Sequence, residues 1–415
     1  MKPKRSQGRA RARILAWSAA AALLAAPLAA GDGAPVHWGE RRLDPAALPA
    51  ELPPAARAAL EAWLPWAGAH AYRLDLDASG RLLLASRASN DRAPALLALA
   101  GQVLARFDQE LPAPAVRKVA KDPLLAAKAP PEKPKPAGGD SPLPEDPEGE
   151  GDHPWTLAPP KPAPVTSAPV VVTKWGSHGA PLDTQTMTLF VATDQDDFES
   201  LLKDLAARFP YLETWSREAT ALQGFVLGDP LCAAYLERPD GVEEWDPEHE
   251  LVNRFARLCL LRRFGDLPNW LVQGYAWHME IALKGAVYCF PWRDEFVWAT
   301  EHAGWPAAVR DRYQKERLAP GHFMGWKRGK YVDEAAKASW AFTAYLVARE
   351  RERLPELLDE LRVFREEHGR IQDDPSSWRR NLEYEIPVAD QQALFTRALG
   401  DGYLQRATLY LRQEL

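Results

Sequence analysis

A proline-rich segment divides the chain and constrains its fold more than any other feature. Sixteen of the 37 prolines in the 415-residue chain lie between residues 112 and 169, among Lys-Pro-Lys-Pro and Glu-Gly-Glu-Gly-Asp runs. Such a composition cannot bury enough apolar surface to offset the entropy lost on ordering. We therefore predict a disordered linker over 112–170 that tethers a small domain (31–111) to a larger one (171–415).

The segments on either side have the hydrophobic periodicity of folded elements. In the small domain, we predict helices over 52–66 and 93–110 and strands over 72–76 and 81–84. In the large domain, the pattern predicts strands over 186–192 and 224–227, and helices over 197–209, 247–264, 270–283, 305–317, 334–351, 354–368 and 390–411. The fold class is therefore predicted to be α+β, with a short sheet before a mostly helical region.

The first thirty residues have the pattern of a secretory signal peptide. A basic segment is followed by an apolar run over 14–26 and by small residues up to Ala30. Because the apolar run is shorter than the roughly 20 residues that span a bilayer, we expect cleavage near Ala30, with an uncleaved anchor as the alternative. No later segment is apolar enough to cross a membrane. The mature protein is predicted to be secreted, periplasmic or part of the cell envelope.

Composition and short motifs exclude several classes of function. The net charge is only −6, and no basic stripe with interleaved aromatic residues is present, so nucleic acid is excluded as a partner. The sequence contains no G-x-S-x-G motif for acyl-serine chemistry, no Walker loop for nucleotides and no G-x-G-x-x-G motif for dinucleotides. The cysteines Cys232, Cys259 and Cys289 are too few for a disulfide framework; one bridge is possible, and Cys259 is expected to be a core thiol.

A metal-binding pattern lies at the start of the helix predicted over 247–264. Asp246 is the expected N-cap and Pro247 the first helical residue, and His249-Glu250-Leu251-Val252-Asn253 follows. Residues 249 and 253 are one turn apart on the same helix face. In the motif H-E-x-x-H, this spacing lets two imidazoles bind one Zn²⁺ while the glutamate polarises the bound water. Here asparagine replaces the second histidine.

A second segment follows at the spacing of a known peptidase family. Nineteen residues separate Asn253 from Gln273, which lies in Pro-Asn-Trp-Leu-Val-Gln-Gly-Tyr-Ala-Trp-His-Met-Glu over 268–280. This segment resembles the P-x-W-L-x-E-G-x-A-x-x-x-E signature of the gluzincins, the thermolysin-like branch of zinc metallopeptidases, and especially of secreted bacterial families. The resemblance is best over 248–280, extends weakly by order of elements over 187–361, and does not include the first 185 residues.

The resemblance implies a role for each motif position. His249 corresponds to the first zinc ligand and Glu250 to the general base, whereas Asn253 and Gln273 occupy the positions of the second and third ligands. Both replacements are neutral carboxamides, whose oxygens are poor donors for Zn²⁺ beside imidazole and carboxylate. One good ligand remains where stable binding needs three, so we expect neither a bound metal nor another cofactor.

The same replacements suggest how the site is held together without an ion. A neutral residue at 273 avoids placing a second carboxylate opposite Glu250 once the dication is absent. We therefore predict that Asn253 and Gln273 hydrogen-bond each other, or His249 and Glu250, in a polar network that replaces the metal. On its own, the His249-Glu250 pair is better explained as a solvated first turn of a helix, where the helix dipole favours glutamate, and only the downstream match reverses this preference.

Other residues around the motif have structural interpretations. Gly274 and Glu280 keep the family pattern, and Glu280, seven positions after Gln273 on nearly the same helix face, is predicted to hold a neighbouring element in place. His278 is rotated by about 140° from Gln273 and is expected to pack elsewhere instead of replacing a ligand. The basic pair Arg262-Arg263 is predicted to be a solvated helix end. The concentrated tryptophans favour core packing over a platform for sugars or peptides: Trp270, Trp277, Trp292, Trp298, Trp305, Trp326 and Trp340.

Three functions are consistent with this pattern. The favoured one is an exported, non-catalytic pseudopeptidase that binds a peptide, an envelope polymer or a partner protein through its former active-site cleft. The second is an active metallopeptidase that holds zinc through atypical ligands while Glu250 activates the water. The third is an architectural protein of the cell envelope. A metal-free acid/base pair of Glu250 and His249 is conceivable, but the sequence indicates no substrate for it.

Overall fold

The computed structural model describes residues 34–118, 182–239, 245–289, 304–327, 331–374, 377–380 and 384–415. The predicted signal peptide, residues 119–170 of the predicted linker, Trp292 and Trp298 lie outside the described residues. The described residues are α+β, as predicted. Within them, no helix is both long and apolar enough to cross a bilayer.

Nine strands and eleven α-helices make up the described residues. The strands are β1 (Val36–Trp38), β2 (Arg41–Leu43), β3 (Arg73–Leu76), β4 (Leu82–Ser86), β5 (Met187–Ala192), β6 (Gly224–Gly228), β7 (Leu231–Leu236), β8 (Arg370–Asp374) and β9 (Ser377–Arg380). The helices are α1 (Pro54–Ala69), α2 (Arg92–Glu110), α3 (Gln195–Arg208), α4 (Glu213–Ala219), α5 (Pro247–Phe264), α6 (Asn269–Lys284), α7 (Trp305–Lys315), α8 (Asp333–Arg349), α9 (Leu354–His368), α10 (Val388–Leu399) and α11 (Tyr403–Gln413).

Strands from before and after the proline-rich segment form one mixed sheet. Its order is β2-β1-β3-β4-β5-β7-β6, and β4 pairs in parallel with β5, with Leu84 opposite Leu189. Residues 34–415 accordingly form one compact unit, so the residues predicted as a separate small domain share their sheet with the rest of the chain. The physical reason lies in β4, whose five residues are all buried and which therefore needs a neighbour on each side.

Helices cover both faces of this sheet. Along β5, Leu189 and Val191 face a core that includes α2, α5 and the later helices. Phe190 and Ala192 face the opposite core, which includes α1 and α3. This alternation follows from the two-residue period of a strand. The sheet is thus a central layer, and α5 lies against one face of it.

The helix that carries the His-Glu pair forms as its sequence predicts. The side chain of Asp246 accepts hydrogen bonds from the backbone N–H groups of Glu248 (2.9 Å) and His249 (3.2 Å), and Pro247 is the first helical residue. The helix ends at Gly265, whose φ of +66° favours glycine. Capping at both ends therefore fixes the bounds of α5 at the predicted residues.

The backbones of α6 and α8 come into close contact at Gly274. A Cβ atom at Gly274 would lie 2.5 Å from Thr343 Oγ1 and 2.6 Å from the carbonyl oxygen of Ser339. Only glycine fits between the two backbones at that point. The match of Gly274 to the family pattern therefore has a local packing reason.

Several elements differ from the predictions. The helix predicted over 390–411 is two helices, because Gly400 and Gly402 both have positive φ between α10 and α11. Strands β1, β2 and β7 and helix α4 were not predicted. All six residues of β7 are buried, so its sequence lacks the alternation that identifies a half-buried strand.

The two ends of the proline-rich segment meet on the surface of the body. Arg117 forms an ion pair with Asp183, and its Nη1 donates to the carbonyl of Arg263 (2.7 Å). The backbone N–H of Lys118 donates to Asp359 Oδ2 (2.8 Å) on α9. Residues 117 and 183 are therefore in contact, and the described residues before and after the proline-rich segment belong to one compact unit. Arg262 and Arg263 contribute to this contact region from buried positions, which corrects the prediction of a solvated helix end.

Candidate functional site

Glu280 is the centre of a buried polar cluster between α5 and α6. Its carboxylate is fully buried, and its Oε1 accepts a hydrogen bond from Asn253 Nδ2 at 2.6 Å. Its Oε2 accepts from the backbone N–H groups of Tyr288 (2.7 Å) and Cys289 (3.1 Å) and lies 3.0 Å from His249 Nδ1. Both carboxylate oxygens are thus occupied by groups of the chain itself.

Local structure brings these groups together. His249 and Asn253 are one turn apart on α5 and so point to the same side of the helix. Glu280 lies near the end of α6, which stops at Gly285 in the left-handed conformation (φ +83°). The reversal at Gly285 returns the chain so that two backbone N–H groups reach the Glu280 carboxylate.

A polar network is present, but the hydrogen bonds predicted for Asn253 and Gln273 are not the ones that form it. Asn253 and His249 share a partner, but the partner is Glu280 and not Gln273 or Glu250. Glu280 was expected only to hold a neighbouring element. The available signal was its seven-residue distance from Gln273, which places the two side chains on nearly the same face of α6. The sequence did not reveal which residues of α5 and α6 face each other, and this decides which side chain Asn253 reaches.

Burial and hydrogen bonding act in opposite directions on Glu280. Removal from water raises the pKa of the carboxyl group, while the contacts with His249 and Asn253 and the N–H of Cys289 lower it. Burial dominates, and the pKa of Glu280 is raised above its ordinary value. Burial therefore disfavours the ionised form of Glu280, and the surrounding donors reduce that penalty.

Glu250, the predicted general base, is paired with a cation. Arg254 Nη2 lies 2.8 Å from Glu250 Oε2, one turn along the same helix. The contact is an ion pair without hydrogen-bond alignment, since Oε2 finds no hydrogen-bond partner among the described residues. Burial and then the charge of Glu250 raise the pKa of the Cys289 thiol. The carboxylate at the predicted general-base position thus has a cationic partner on its own helix.

Gln273 lies apart from the Glu280 cluster. Its side chain is only 3% exposed, and its Oε1 has no hydrogen-bond partner among the described residues. Gln273 instead forms part of the wall of a pocket of about 230 Å³. The two carboxamides at the predicted ligand positions therefore have different surroundings: Asn253 is satisfied by Glu280, and Gln273 faces a cavity.

This pocket lies between β6, α5 and the start of α6, and we call it the edge-strand pocket because β6 is the last strand of the sheet. Its walls combine apolar side chains, two arginines, the backbone of β6 and the amide of Gln273. The lining residues are Trp215, Leu222, Gln223, Gly224, Phe225, Val226, Arg254, Arg257, Leu261, Gly265, Asp266, Leu267, Asn269, Val272 and Gln273. A concave space in which apolar side chains and a few polar groups converge is the usual form of a ligand site.

His278 belongs to a different cluster, as predicted. Its Nε2 lies 3.1 Å from Glu110 Oε1 on α2, and Tyr275 donates to Glu110 Oε2 at 3.1 Å. Arg106 completes the group with a hydrogen bond to Glu110 Oε1 at 2.7 Å. This cluster attaches α2 to α6 and contributes no group to the region around His249.

The five tryptophans of the predicted set that lie within the described residues pack in the core, which confirms the structural interpretation for them. Trp270, Trp277, Trp305 and Trp340 are buried, and Trp277 stacks on Trp326 with ring centroids 5.8 Å apart. Trp277 Nε1 donates to the carbonyl of Cys289 (2.6 Å), so its polar atom is satisfied inside the core. The cysteines Cys232, Cys259 and Cys289 are all buried and unbridged.

The donor set at the predicted metal site does not fit a zinc ion. His249 Nδ1 and the Asn253 amide are directed at Glu280, and Gln273 offers a neutral oxygen at the edge-strand pocket. Across the part of the chain that the structure describes, no three histidine, cysteine, aspartate or glutamate side chains are grouped as metal ligands would be. The geometry instead supplies a neutralised carboxylate at 250 and a cavity beside it.

The chain matches no protein-family model, and no curated protein sequence resembles it at a significant level.

Proposed function

We propose that this protein is an exported, non-catalytic binding protein on a gluzincin-like scaffold, and that the edge-strand pocket is what remains of the cleft. The signal pattern in the first thirty residues supports export. The order of elements over 187–361 and the signature over 268–280 support the scaffold.

The observation that carries the proposal is the saturation of the Glu280 carboxylate. Asn253, His249 and two backbone N–H groups occupy its two oxygens. A polar cluster satisfied within the chain needs no ion to hold α5 against α6. The ion pair between Glu250 and Arg254 adds a second reason, because the carboxylate at the general-base position already has a partner within the chain.

The binding role has its own support. The edge-strand pocket borders the motif helix and contains the Gln273 position, so a ligand there would lie beside the former site. The strand next to it is the last of its sheet, with one edge not paired within the described sheet, where an extended chain can add hydrogen bonds. Peptides, envelope polymers and protein segments are the ligand classes that suit such an edge.

Metal content tests the proposal directly. We expect the purified mature protein to hold far less than one equivalent of zinc after equilibration with the ion, and to cleave no peptide library. One equivalent of zinc that His249→Ala abolishes would overturn the proposal and favour a metallopeptidase with atypical ligands. The double variant Asn253→His with Gln273→Glu tests the scaffold, because it should gain zinc affinity. A folded double variant without zinc affinity would count against the gluzincin assignment.

A further inference from the structure

Among the residues that line the edge-strand pocket, Gln273 and Arg254 each have a buried polar atom that the described residues leave without a hydrogen bond. One is an acceptor, Gln273 Oε1, and the other is a donor, Arg254 Nε. A buried polar group without a partner costs free energy, and native structures keep few of them. Their position on two walls of one cavity indicates that a ligand supplies the missing partners.

The charges of the pocket indicate which kind of ligand fits. Arg254 and Arg257 both line it, and the lining carboxylate of Asp266 is already paired with Arg365 at 2.7 Å. A guanidinium has five N–H donors, so the ion pair with Glu250 leaves Arg254 with donors for a second anion. A carboxylate is the anion whose planar geometry matches this fork.

The Gln273 oxygen needs a donor close to that carboxylate, and apolar side chains form part of the remaining wall. Trp215, Phe225 and Leu261 supply the apolar surface. The volume of about 230 Å³ is below the range of roughly 300–1,000 Å³ that suits drug-sized ligands. The occupant is therefore small: a carboxylate, an adjacent N–H and one apolar group.

We propose that the edge-strand pocket binds an acylated α-amino acid with a free carboxylate, with the carboxylate on Arg254 and Arg257 and the amide N–H on Gln273. An acylated amino group beside a free carboxylate occurs both in a free N-acyl amino acid and in the last residue of a peptide. This inference rests on the proposed function and names the class of ligand that the cleft binds. A ligand of this kind satisfies the orphaned acceptor and places its side chain against the aromatic wall.

Calorimetric titration of the mature protein tests the proposal with four probes. These are N-acetyl-leucine, its methyl ester, a tetrapeptide that ends in leucine, and the same peptide with an amidated terminus. We expect the two free carboxylates to bind with a dissociation constant on the order of 1 mM or tighter, and the ester and amide to bind at least tenfold more weakly. Tighter binding of the tetrapeptide would assign the natural ligand as a peptide terminus, and tighter binding of N-acetyl-leucine as a small molecule. Equal binding of carboxylates and blocked probes, or no binding by any probe, would overturn the proposal.

Variants locate the binding in this pocket. Gln273→Met keeps the length of the side chain and removes the acceptor, so it should weaken carboxylate binding at least tenfold while the protein stays folded. Glu250→Gln with Arg254→Gln removes the cation without leaving a buried unpaired carboxylate, and should abolish the preference for a free carboxylate. Arg310→Gln changes an exposed arginine on α7 and is the matched control. Unchanged binding in both pocket variants would contradict the assignment. A zinc-free protein that ignores every probe would refute this ligand and leave the non-catalytic function standing.

Discussion

Asn253 donates a 2.6 Å hydrogen bond to Glu280, so a residue at a predicted zinc-ligand position is instead held by a buried carboxylate 27 residues later. Glu280→Ala would leave Asn253, His249 and two backbone N–H groups buried without their acceptor. Removing one partner of a buried charged cluster typically costs about 3–5 kcal/mol. We expect a loss of that size in the free energy of unfolding, measured by urea denaturation.

Two further variants sharpen this prediction. Glu280→Gln keeps one acceptor oxygen, and the Asn253 amide can turn to accept from the new NH₂ group, so the loss should be smaller than for alanine. Glu248→Ala removes an exposed carboxylate paired with Lys284 and should change stability by no more than about 0.5 kcal/mol. A Glu280→Ala protein as stable as Glu248→Ala would refute the central role of this cluster.

The contact between α6 and α8 predicts opposite effects of the same substitution at two helical glycines. Gly274→Ala forces a methyl group against Thr343 and the Ser339 carbonyl, and should destabilise the protein by about 1–3 kcal/mol. Gly101→Ala on α2 meets no atom within 4 Å and should stabilise it by up to about 1 kcal/mol through helix propensity. Thermal unfolding of both variants measures the difference. Equal shifts in Tm would mean that α6 and α8 are farther apart than described.

The Glu110 cluster predicts a loss of stability in acid. Burial alone would raise the pKa of Glu110, but the hydrogen bond and charge of His278, with Arg106 and Tyr275, outweigh it and lower the pKa below 4.5. A carboxyl group with a lower pKa in the folded state stabilises that state above pH 4.5, and the contribution disappears as pH falls through the folded pKa. We therefore expect the difference in unfolding free energy between the native protein and Glu110→Gln to shrink below that pH.

The control for this acid effect is Glu61→Gln, which changes an exposed carboxyl group on α1. Its difference from the native protein should vary far less over the same pH range. Denaturant titrations at a series of pH values measure both. A Glu110→Gln difference that stays constant with pH would show that the folded and unfolded pKa values of Glu110 are the same.

The contact between Arg117 and Asp183 predicts that the proline-rich segment can be removed. Replacing residues 119–181 with a flexible linker of about ten residues shortens a loop whose ends already meet, so the closure entropy should fall by about 1–2 kcal/mol in favour of folding. The shortened protein should unfold at the same or higher urea concentration. Arg117→Ala in the shortened chain should reverse part of the gain. Loss of folding on deletion would show that these residues do more than connect α2 to β5.

Local signals in the sequence predicted much of the fold. The bounds of α5 follow from Asp246, Pro247 and Gly265, because caps act within one turn. The pairing of β4 with β5 was not predictable, because the partners are about a hundred residues apart and no local pattern encodes which strands meet. The buried positions of Arg262 and Arg263 were missed for the same reason: Asp183 and Asp108, their partners, come from distant segments.

The candidate site, like the fold, was predictable from local signals and not from tertiary packing. Residue types and spacing identified His249, Glu250, Asn253 and Gln273 as positions to examine, and helical periodicity placed Glu280 near their face. Which carboxylate receives the hydrogen bonds depends on the relative displacement of α5 and α6, which tertiary packing decides. The ion pair of Glu250 with Arg254 could have been predicted, because the two residues are four positions apart on one helix.

The contact between Arg117 and Asp183 has a consequence for proteolysis. A cut anywhere between residues 119 and 181 yields one fragment that supplies β1–β4 and a second that supplies β5 and every later element. The ladder between β4 and β5 and both hydrophobic cores contain side chains from each fragment. We therefore expect the nicked protein to remain one particle in solution, as a non-covalent heterodimer of its own two halves, until a denaturant separates the sheet.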